Sequence, residues 1–132
     1  MAKAKKVKQL NFETKNKVGI LSAVTTALSS ARVNIKAICA YGMDNKSYFM
    51  LVTSNNAKAK KVLAKLKAKT IEDDVIAVEM PTGVGQLKKT AIKISNAGVD
   101  IQYMYGSVGA GKNAVCIFKT ENNNKALKAL SK

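Results

Sequence analysis

The stretch "GSVGAGKN", residues 106–113, has the spacing of a phosphate-binding P-loop, Gly-x-x-x-x-Gly-Lys. In such a loop backbone amides hold phosphate oxygens, the lysine reaches the outer phosphates, and a Ser or Thr hydroxyl holds magnesium. Here Asn113 stands in the hydroxyl position. A P-loop also leads into a helix, whereas "AVCIFK", residues 114–119, is rich in β-forming residues. We therefore interpret the glycines as a flexible hairpin loop and not as a nucleotide site.

Other catalytic and metal chemistry has few residues to draw on. The chain contains no histidine, which excludes Ser-His and Cys-His nucleophiles and any imidazole base. Its two cysteines, Cys39 and Cys116, each lie in an apolar run, and we interpret both as small core residues. The eight carboxylates form no visible acid–base pair. We predict that the protein is not an enzyme and that it uses no metal and no cofactor.

The net charge of +15 on 132 residues raises nucleic acid or an acidic membrane surface as partners. Of the 23 basic residues, however, all but Arg32 are lysines, and arginine makes most bidentate contacts with phosphate and guanine. We favour a solvated lysine-rich surface and keep a basic nucleic-acid-binding protein as the alternative function. No apolar run approaches the ~18 residues that span a membrane, and the amino terminus lacks the apolar stretch of a signal peptide. The expected location is cytoplasmic.

An internal repeat organises the chain. Shifted by 66 positions, "NKVGILSAVTTALSSARVNI" at 16–35 lies over "TGVGQLKKTAIKISNAGVDI" at 82–101 without a gap. The shift also pairs strand-like segments of the two halves, namely "LNFET" (10–14) with "IAVEM" (76–80) and "YFMLV" (48–52) with "AVCIF" (114–118). We predict two copies of one unit, with domains at 5–73 and 74–132.

Each copy has the pattern β-α-β-β-α. In the first copy Leu10 and Phe12 alternate with polar residues, which is typical of a half-buried strand. Gly19 then opens a segment with apolar residues at helical spacing. Two β-rich runs about a short polar loop follow, which indicates a hairpin, and a lysine-rich helix ends the copy. A helix that returns between strands implies helices layered on one face of a sheet.

The predicted fold class is therefore α+β, with two ferredoxin-like (β-α-β-β-α-β) modules in tandem and antiparallel sheets. Residues 70–80 must supply both the fourth strand of the first module and the first strand of the second. After the last helix no residues remain for a further strand, so we predict that the second module lacks its last strand. Its sheet edge is then either open or covered by a partner subunit, because bare edges invite pairing.

Gly19 and Gly85 each lie at a predicted strand-to-helix junction. Glycine permits close approach of a ligand, and the amides of a helix's first turn carry partial positive charge. Such a junction suits the carboxylate of a small molecule. The alternative is that each glycine only permits a tight turn into the helix, and the spacing does not decide between the two.

Both junctions resemble the opening of ACT domains, small β-α-β-β-α-β modules that often bind amino acids and regulate metabolic enzymes. The family pattern is Asp-x-Pro-Gly-x-Leu, followed further along by Gly-Val-Asn-Ile or a close variant. Residues 16–21, "NKVGIL", and 82–87, "TGVGQL", are similar to the first part. Residues 32–35, "RVNI", and 98–101, "GVDI", are similar to the second. Both copies lack the acidic residue and the proline, and the first copy has arginine in place of the glycine before Val33.

The resemblance implies an amino-acid site between paired modules, where the loop of one module faces the strand of the other. The ligand carboxylate would bind amides around Gly19 or Gly85, and Asn34 or Asp100 would contact its amino group or nearby amides. Since only Asp100 is ionised, we expect the two sites to differ. A local turn bond is the alternative for Asn34 and Asp100. The implied ligand-binding residues are Asn16, Val18, Gly19, Ile20, Leu21, Asn34, Thr82, Val84, Gly85, Gln86, Leu87 and Asp100.

The resemblance also implies the function and its partners. It covers residues 7–130 and points to a free-standing, allosteric regulatory protein that binds an amino acid. A homodimer and a separate metabolic enzyme are the implied protein partners. The sequence names neither the amino acid nor the enzyme.

Overall fold

The structure is a computed structural model that describes residues 3–107 and 111–131. Its elements are β1 (Lys3–Lys15), α1 (Ile20–Ser30), β2 (Ile35–Met43), β3 (Lys46–Thr53), α2 (Asn56–Ala64), β4 (Ile71–Pro81), α3 (Gln86–Asn96), β5 (Ile101–Ser107), β6 (Asn113–Thr120) and α4 (Asn123–Leu130). The predicted order β-α-β-β-α is thus confirmed in both halves. None of the helices in the described part of the chain is long and apolar enough to cross a bilayer.

Two compact units divide the chain. We call Lys8–Asp73 the N-terminal unit, and Met1–Val7 together with Asp74–Lys132 the C-terminal unit. Each unit has its own hydrophobic core, built from residues of its strands and its two helices.

In the N-terminal unit the strands lie in the order β2-β3-β1, and each neighbouring pair is antiparallel. The register sets Phe12 opposite Phe49, and their rings stack with centroids 4.8 Å apart. Because side chains alternate between the faces of a strand, every second residue of β1 and β3 contributes to one core. That core combines strand residues with residues of α1 and α2, among them Leu10, Leu51, Val24, Leu28 and Leu63.

The C-terminal unit repeats this arrangement with β4, β6 and β5 as antiparallel neighbours in that order. Val78 lies opposite Cys116, and Ile76 lies opposite Phe118. These four side chains pack with Ile94 of α3 in the second core. Burial raises the pKa of the Cys116 thiol, which keeps it protonated and unreactive. The interpretation of Cys116 as a core residue is confirmed, and Cys39 is half-buried.

The edge of β4 that faces away from β6 is occupied by the first residues of the same chain. β1 is the neighbour of β4 on that side, and residues 3–7 of β1 belong to the C-terminal unit. Ala4 packs against the core of that unit. No strand follows α4 within the described residues, as predicted, but neither an open edge nor a partner subunit is needed at β4. The start of β1 takes the position of the missing strand.

The repeat changes its offset by one residue within the second hairpin. Cα partners in β1 and β3, such as Phe12 and Phe49, correspond to Val78 and Cys116 in β4 and β6. The offset is therefore 66 for the first strand of each unit and 67 for the third. Our alignment of 48–52 with 114–118 was wrong by one position. A shift of one residue exchanges the two faces of a strand, so that alignment had matched core positions with positions on the opposite face.

Candidate functional site

The P-loop-like segment leads into a strand. Gly106 lies in β5 opposite Cys116, and Asn113 begins β6, so the segment leads into a strand and not into a helix. This confirms that the segment joins the strands of a hairpin, although residues 108–110 lie outside the described part of the chain. Gly106 is not a turn residue, however. A Cβ atom there would lie 2.6 Å from the Sγ atom of Cys116, so glycine is needed for close packing of β5 against β6.

Helix α1 begins at a left-handed glycine. Gly19 is its N-cap residue with φ 88°, a conformation that favours glycine. A Cβ at Gly19 would meet no atom within 4 Å, so the backbone angle and not crowding explains the residue type. The amide of Ile20 donates to the carbonyl of Lys17 at 3.2 Å, and the next amides of the first turn have no acceptor within the helix.

Helix α3 begins in the same way, at Gly85 with φ 85°. No side chain of the described residues caps α1 or α3. The other two helices differ, because Asn55 and Asn122 cap α2 and α4 by accepting from the amides of Lys58 and Lys125. The positive ends of α1 and α3 are thus left without a side-chain acceptor.

The first residue of each junction is bound to the neighbouring hairpin. The amide of Asn16 donates to the carbonyl of Asn45 at 3.0 Å, and its Oδ1 accepts from the Ser47 hydroxyl at 2.8 Å. In the second unit the amide of Thr82 donates to the carbonyl of Lys112 at 3.1 Å, and its Oγ1 donates to the carbonyl of Gly111 at 2.6 Å. Asn16 and Thr82 therefore hold the junction loop against the hairpin.

The remaining junction residues divide between solvent and core. Val18 and Val84 precede the two glycines and are fully exposed, and Leu21 is about half-exposed. Ile20 and Leu87 pack against the cores of their units. Each junction thus presents an uncovered valine beside the first-turn amides, while an apolar residue of the first turn fixes the helix to its core. The side chain of Gln86 is half-buried.

Asn34 and Asp100 lie at the opposite end of the helices from the glycines. Helix α1 has 11 residues, and at 1.5 Å per residue it separates Gly19 from Asn34 by about 16 Å. Within one unit the structure therefore does not bring the two parts of the implied site together. Asn34 and Asp100 have exposed side chains and lie a few residues after α1 and α3, immediately before β2 and β5.

The sequence matches the family described as an ACT domain pair over residues 5–131. The chain belongs to this family. A comparison with curated protein sequences gives no match.

Solved structures share the fold of this ACT domain pair. Protein BT0572 from Bacteroides thetaiotaomicron is 28% identical, with a TM-score of 0.88 over 97% of this chain and 88% of that one. The ligand-free regulatory subunit of aspartate kinase from Thermus thermophilus is 15% identical, with a TM-score of 0.69 over 94% and 90%. The aspartate kinase of Clostridium acetobutylicum is 15% identical, with a TM-score of 0.66 over 98% of this chain and 33% of that one. The predicted fold class of tandem ferredoxin-like modules is confirmed.

Each ACT module also has a residue beside Asn34 or Asp100 that our sequence analysis missed, namely Ser54 in the first module and Glu121 in the second. The amide of Asn34 donates to the Ser54 hydroxyl at 2.9 Å, and the amide of Asp100 donates to a carboxylate oxygen of Glu121 at 3.2 Å. The amides of Ser54 and Glu121 donate back to the carbonyls of Asn34 and Asp100. Backbone bonds thus fix both residues. Ser54 and Glu121 are equivalent only at the offset of 67, which the gap-free alignment did not contain.

Proposed function

We propose that this ACT domain pair is a non-catalytic regulatory protein that binds a free amino acid. The observation that carries the proposal is the contrast between two kinds of helix start. α2 and α4 are capped by Asn55 and Asn122, whereas α1 and α3 begin at Gly19 and Gly85 without a side-chain cap. A carboxylate is the group that satisfies first-turn amides and the positive end of a helix together.

The amino group of the ligand requires an acceptor, and Asp100 is the stronger of the two candidates. It is an exposed carboxylate with Glu121 beside it, whereas Asn34 offers only an amide oxygen. Because Gly85 and Asp100 lie at opposite ends of α3, one unit cannot supply both contacts to one small ligand. We infer that the loop of one module and the strand start of a module from a second copy of the chain form the site. The functional protein is then a homodimer.

Binding at such an interface regulates by linkage. A ligand held by two copies stabilises the arrangement in which the copies are paired, and it shifts the equilibrium toward that arrangement by its differential affinity. A separate metabolic enzyme that contacts the paired form would then sense the amino acid. The shared fold with regulatory subunits of aspartate kinase supports this role. At the junctions, the exposed valine side chains and the uncapped backbone amides of the first helical turn contribute binding contacts.

The first test is a thermal-shift and calorimetric screen of the purified chain against the twenty amino acids. A ligand at a hundred times its dissociation constant adds about 2.7 kcal/mol to stability, which is a rise of several degrees in midpoint for a chain of this size. A selective rise with one amino acid or a related group is expected, with little dependence on salt. A response to RNA or DNA alone, which falls steeply with salt, would instead establish the nucleic-acid alternative.

The position of the carboxylate is tested with an isosteric pair of variants, Gly85→Asp and Gly85→Asn. Both side chains tolerate a left-handed backbone, but only aspartate puts a negative charge at the helix start. We expect Gly85→Asp to weaken amino-acid binding by about tenfold or more relative to Gly85→Asn, because the charges repel. Equal affinities for the two variants, measured by calorimetry, would show that no carboxylate binds at α3. The corresponding pair at Gly19 reports on the first module.

A further inference from the structure

An open groove lies between α1 and α2 of the N-terminal unit. Its volume is about 470 Å³, and it is lined by Ala27, Ser30, Ala31, Val62, Lys65 and Leu66. All of these residues except Ser30 and Lys65 are apolar. Neither Gly19 nor Asn34 lines the groove, which is therefore separate from the amino-acid site proposed above.

The two sides of the groove differ in the size of their side chains. On α1 the groove is lined by Ala27 and Ala31, one helical turn apart, together with Ser30, so another backbone can approach α1 closely. The α2 side has the larger apolar residues Val62 and Leu66, which are four positions apart. A groove between two helices, with a small-residue wall and a larger apolar wall, has the shape that accepts one face of a third helix.

Leu66 is exposed, although its backbone is fixed. It lies outside the hydrophobic core of its unit, and 36% of its surface is accessible. Its amide donates to the carbonyl of Leu63 at 3.0 Å, and the same carbonyl accepts from the amide of the buried Ala68 at 3.2 Å. Lys67 between them has φ 61° and ends the helix with a left-handed turn. This turn holds Leu66 beside the groove.

The rim of the groove is positively charged. Helix α1 contains no charged residue, whereas residues 56–69, "NAKAKKVLAKLKAK", contain six lysines and no carboxylate. One of the six, Lys60, is ion-paired with Glu72. Lys61 and Lys65 lie one turn apart, are exposed, and form no ion pair within the part of the chain that the structure describes. The groove therefore combines an apolar floor with uncompensated positive charge.

The second copy of the repeat has different residues at the equivalent positions. Helices α1 and α3 correspond at the offset of 66, and α2 and α4 correspond at 67. Ala27 is thus replaced by Lys93, and Val62 is replaced by Ala129. A lysine stands on the small-residue wall, and the opposite wall loses apolar surface. Because the C-terminal unit has the same arrangement of elements, the fold does not require the apolar lining of the groove.

We propose that the groove between α1 and α2 binds an acidic amphipathic helix of another protein. Apolar side chains of that helix, three and four positions apart, contact the alanines of α1 and Leu66, and its flanking carboxylates pair with Lys61 and Lys65. A second copy of this chain fits less well, because it would bring two lysine-rich rims together. The proposal does not rest on amino-acid binding at the glycines.

The test is fluorescence anisotropy of a labelled peptide with the full chain, at constant ionic strength and without amino acids. The peptide has about 15 residues, all glutamate, alanine or leucine, with leucines three and four positions apart. A second peptide has alanine in place of every leucine and the same charge. The key variant is Leu66→Ser, and the control is Ile92→Ser, because Ile92 is also an exposed apolar residue on a lysine-bearing helix, α3. Lys65→Gln and Lys89→Gln form the matched pair for charge.

The leucine peptide is expected to bind the parent chain about fivefold or more tightly than the alanine peptide. Leu66→Ser should abolish that preference, Ile92→Ser should retain it, and Lys65→Gln should weaken binding more than Lys89→Gln does.

The proposal is overturned if neither peptide binds, or if both bind equally, since equal binding would mean general attraction of acidic chains to a net charge of +15. It is also overturned if Leu66→Ser and Ile92→Ser have the same effect. Sedimentation that shows self-association of the parent chain but not of Leu66→Ser would assign the groove to a second copy. Leu66-dependent binding to phosphatidylserine vesicles, without a preference for the leucine peptide, would assign it to a lipid surface.

Discussion

At the scale of single residues, Gly19, Gly85 and Gly106 meet two different structural requirements. Gly19 and Gly85 have open space around the Cβ position and are fixed by a positive φ. Gly106 has no such angle but is crowded, because a Cβ would lie 2.6 Å from Cys116 Sγ and 3.0 Å from the carbonyl oxygen of Val115. The first kind of glycine tolerates asparagine or aspartate, and the second tolerates no side chain at all.

Replacement of Gly106 by alanine is expected to destabilise the C-terminal unit by about 1–3 kcal/mol, because β5 and β6 must separate to admit a methyl group. Denaturant unfolding measures the change. The control is Gly42→Ala in β2, where the nearest atom, Asn16 Nδ2, would be 3.4 Å away and ordinary contact results. If the Gly106→Ala and Gly42→Ala variants are equally stable, crowding at Gly106 does not exclude a side chain.

At the scale of elements, the helices of the described residues fall into two pairs that start differently. Asn122 accepts from the amide of Lys125 at 3.1 Å, and Asn55 does the same for Lys58 at 3.1 Å. In each case the following asparagine, Asn56 or Asn123, accepts from a threonine hydroxyl. The second helix of each unit therefore has its N-terminus secured within the chain, whereas the first helix has not. No ligand is therefore needed to cap the N-termini of α2 and α4.

The N-cap of α4 makes a measurable contribution to the stability of the protein. Replacing Asn122 with alanine is expected to cost about 1 kcal/mol, because the amide of Lys125 loses its acceptor. Asn124→Ala, two residues further along α4 on an exposed position, is the control and should be neutral or slightly stabilising, since alanine favours helix. Thermal unfolding of the two variants decides the point. If Asn124→Ala lowers the unfolding midpoint as much as Asn122→Ala does, the loss of the cap is not the cause of the destabilisation.

Much of the element order was predictable, and the error in register has a simple physical origin. Strand alternation and helical spacing are local signals. They correctly predicted the strand at "LNFET" and the helices after Gly19 and Gly85. The offset of 67 arises within the hairpin between β5 and β6, where a gap-free comparison has no means of adding a residue. Ser54 and Glu121 were lost from the candidate site for the same reason. Arg32 was noticed as a departure from glycine, but its positive φ is visible only in three dimensions.

At the scale of the whole molecule, the long strands β1 and β4 each contribute to both units. Residues 3–7 belong to the C-terminal unit, and Ile71–Asp73 of β4 belong to the N-terminal unit. This exchange could not be predicted from the sequence, because residues 3–7, "KAKKV", are mostly lysines and do not alternate between apolar and polar residues. The contact joins segments about 70 residues apart, and only tertiary pairing at a sheet edge explains it.

Deletion of residues 1–7 is expected to destabilise the C-terminal unit while leaving the other core intact. The edge of β4 loses its neighbour, and Ala4 no longer covers the core. Hydrogen exchange should show faster exchange in 74–131 than in the parent chain, with 8–70 nearly unchanged. A variant with Lys3, Lys5 and Lys6 changed to glutamine controls for the loss of charge and should retain protection. Unaltered exchange in 74–131 after the deletion would show that residues 3–7 contribute no strand.

The exchange of strands also sets an order of events during synthesis. Residues 3–7 are synthesised well before β4, yet their place in the sheet exists only when β4 and the elements after it have been made. Because synthesis proceeds at about 5–20 residues per second, residues 3–7 of β1 remain unpaired for several seconds. The positive charges of the lysines in residues 3–7 disfavour pairing with other nascent chains during this interval. The sheet of the C-terminal unit is thus completed by a segment that is synthesised before the rest of that unit.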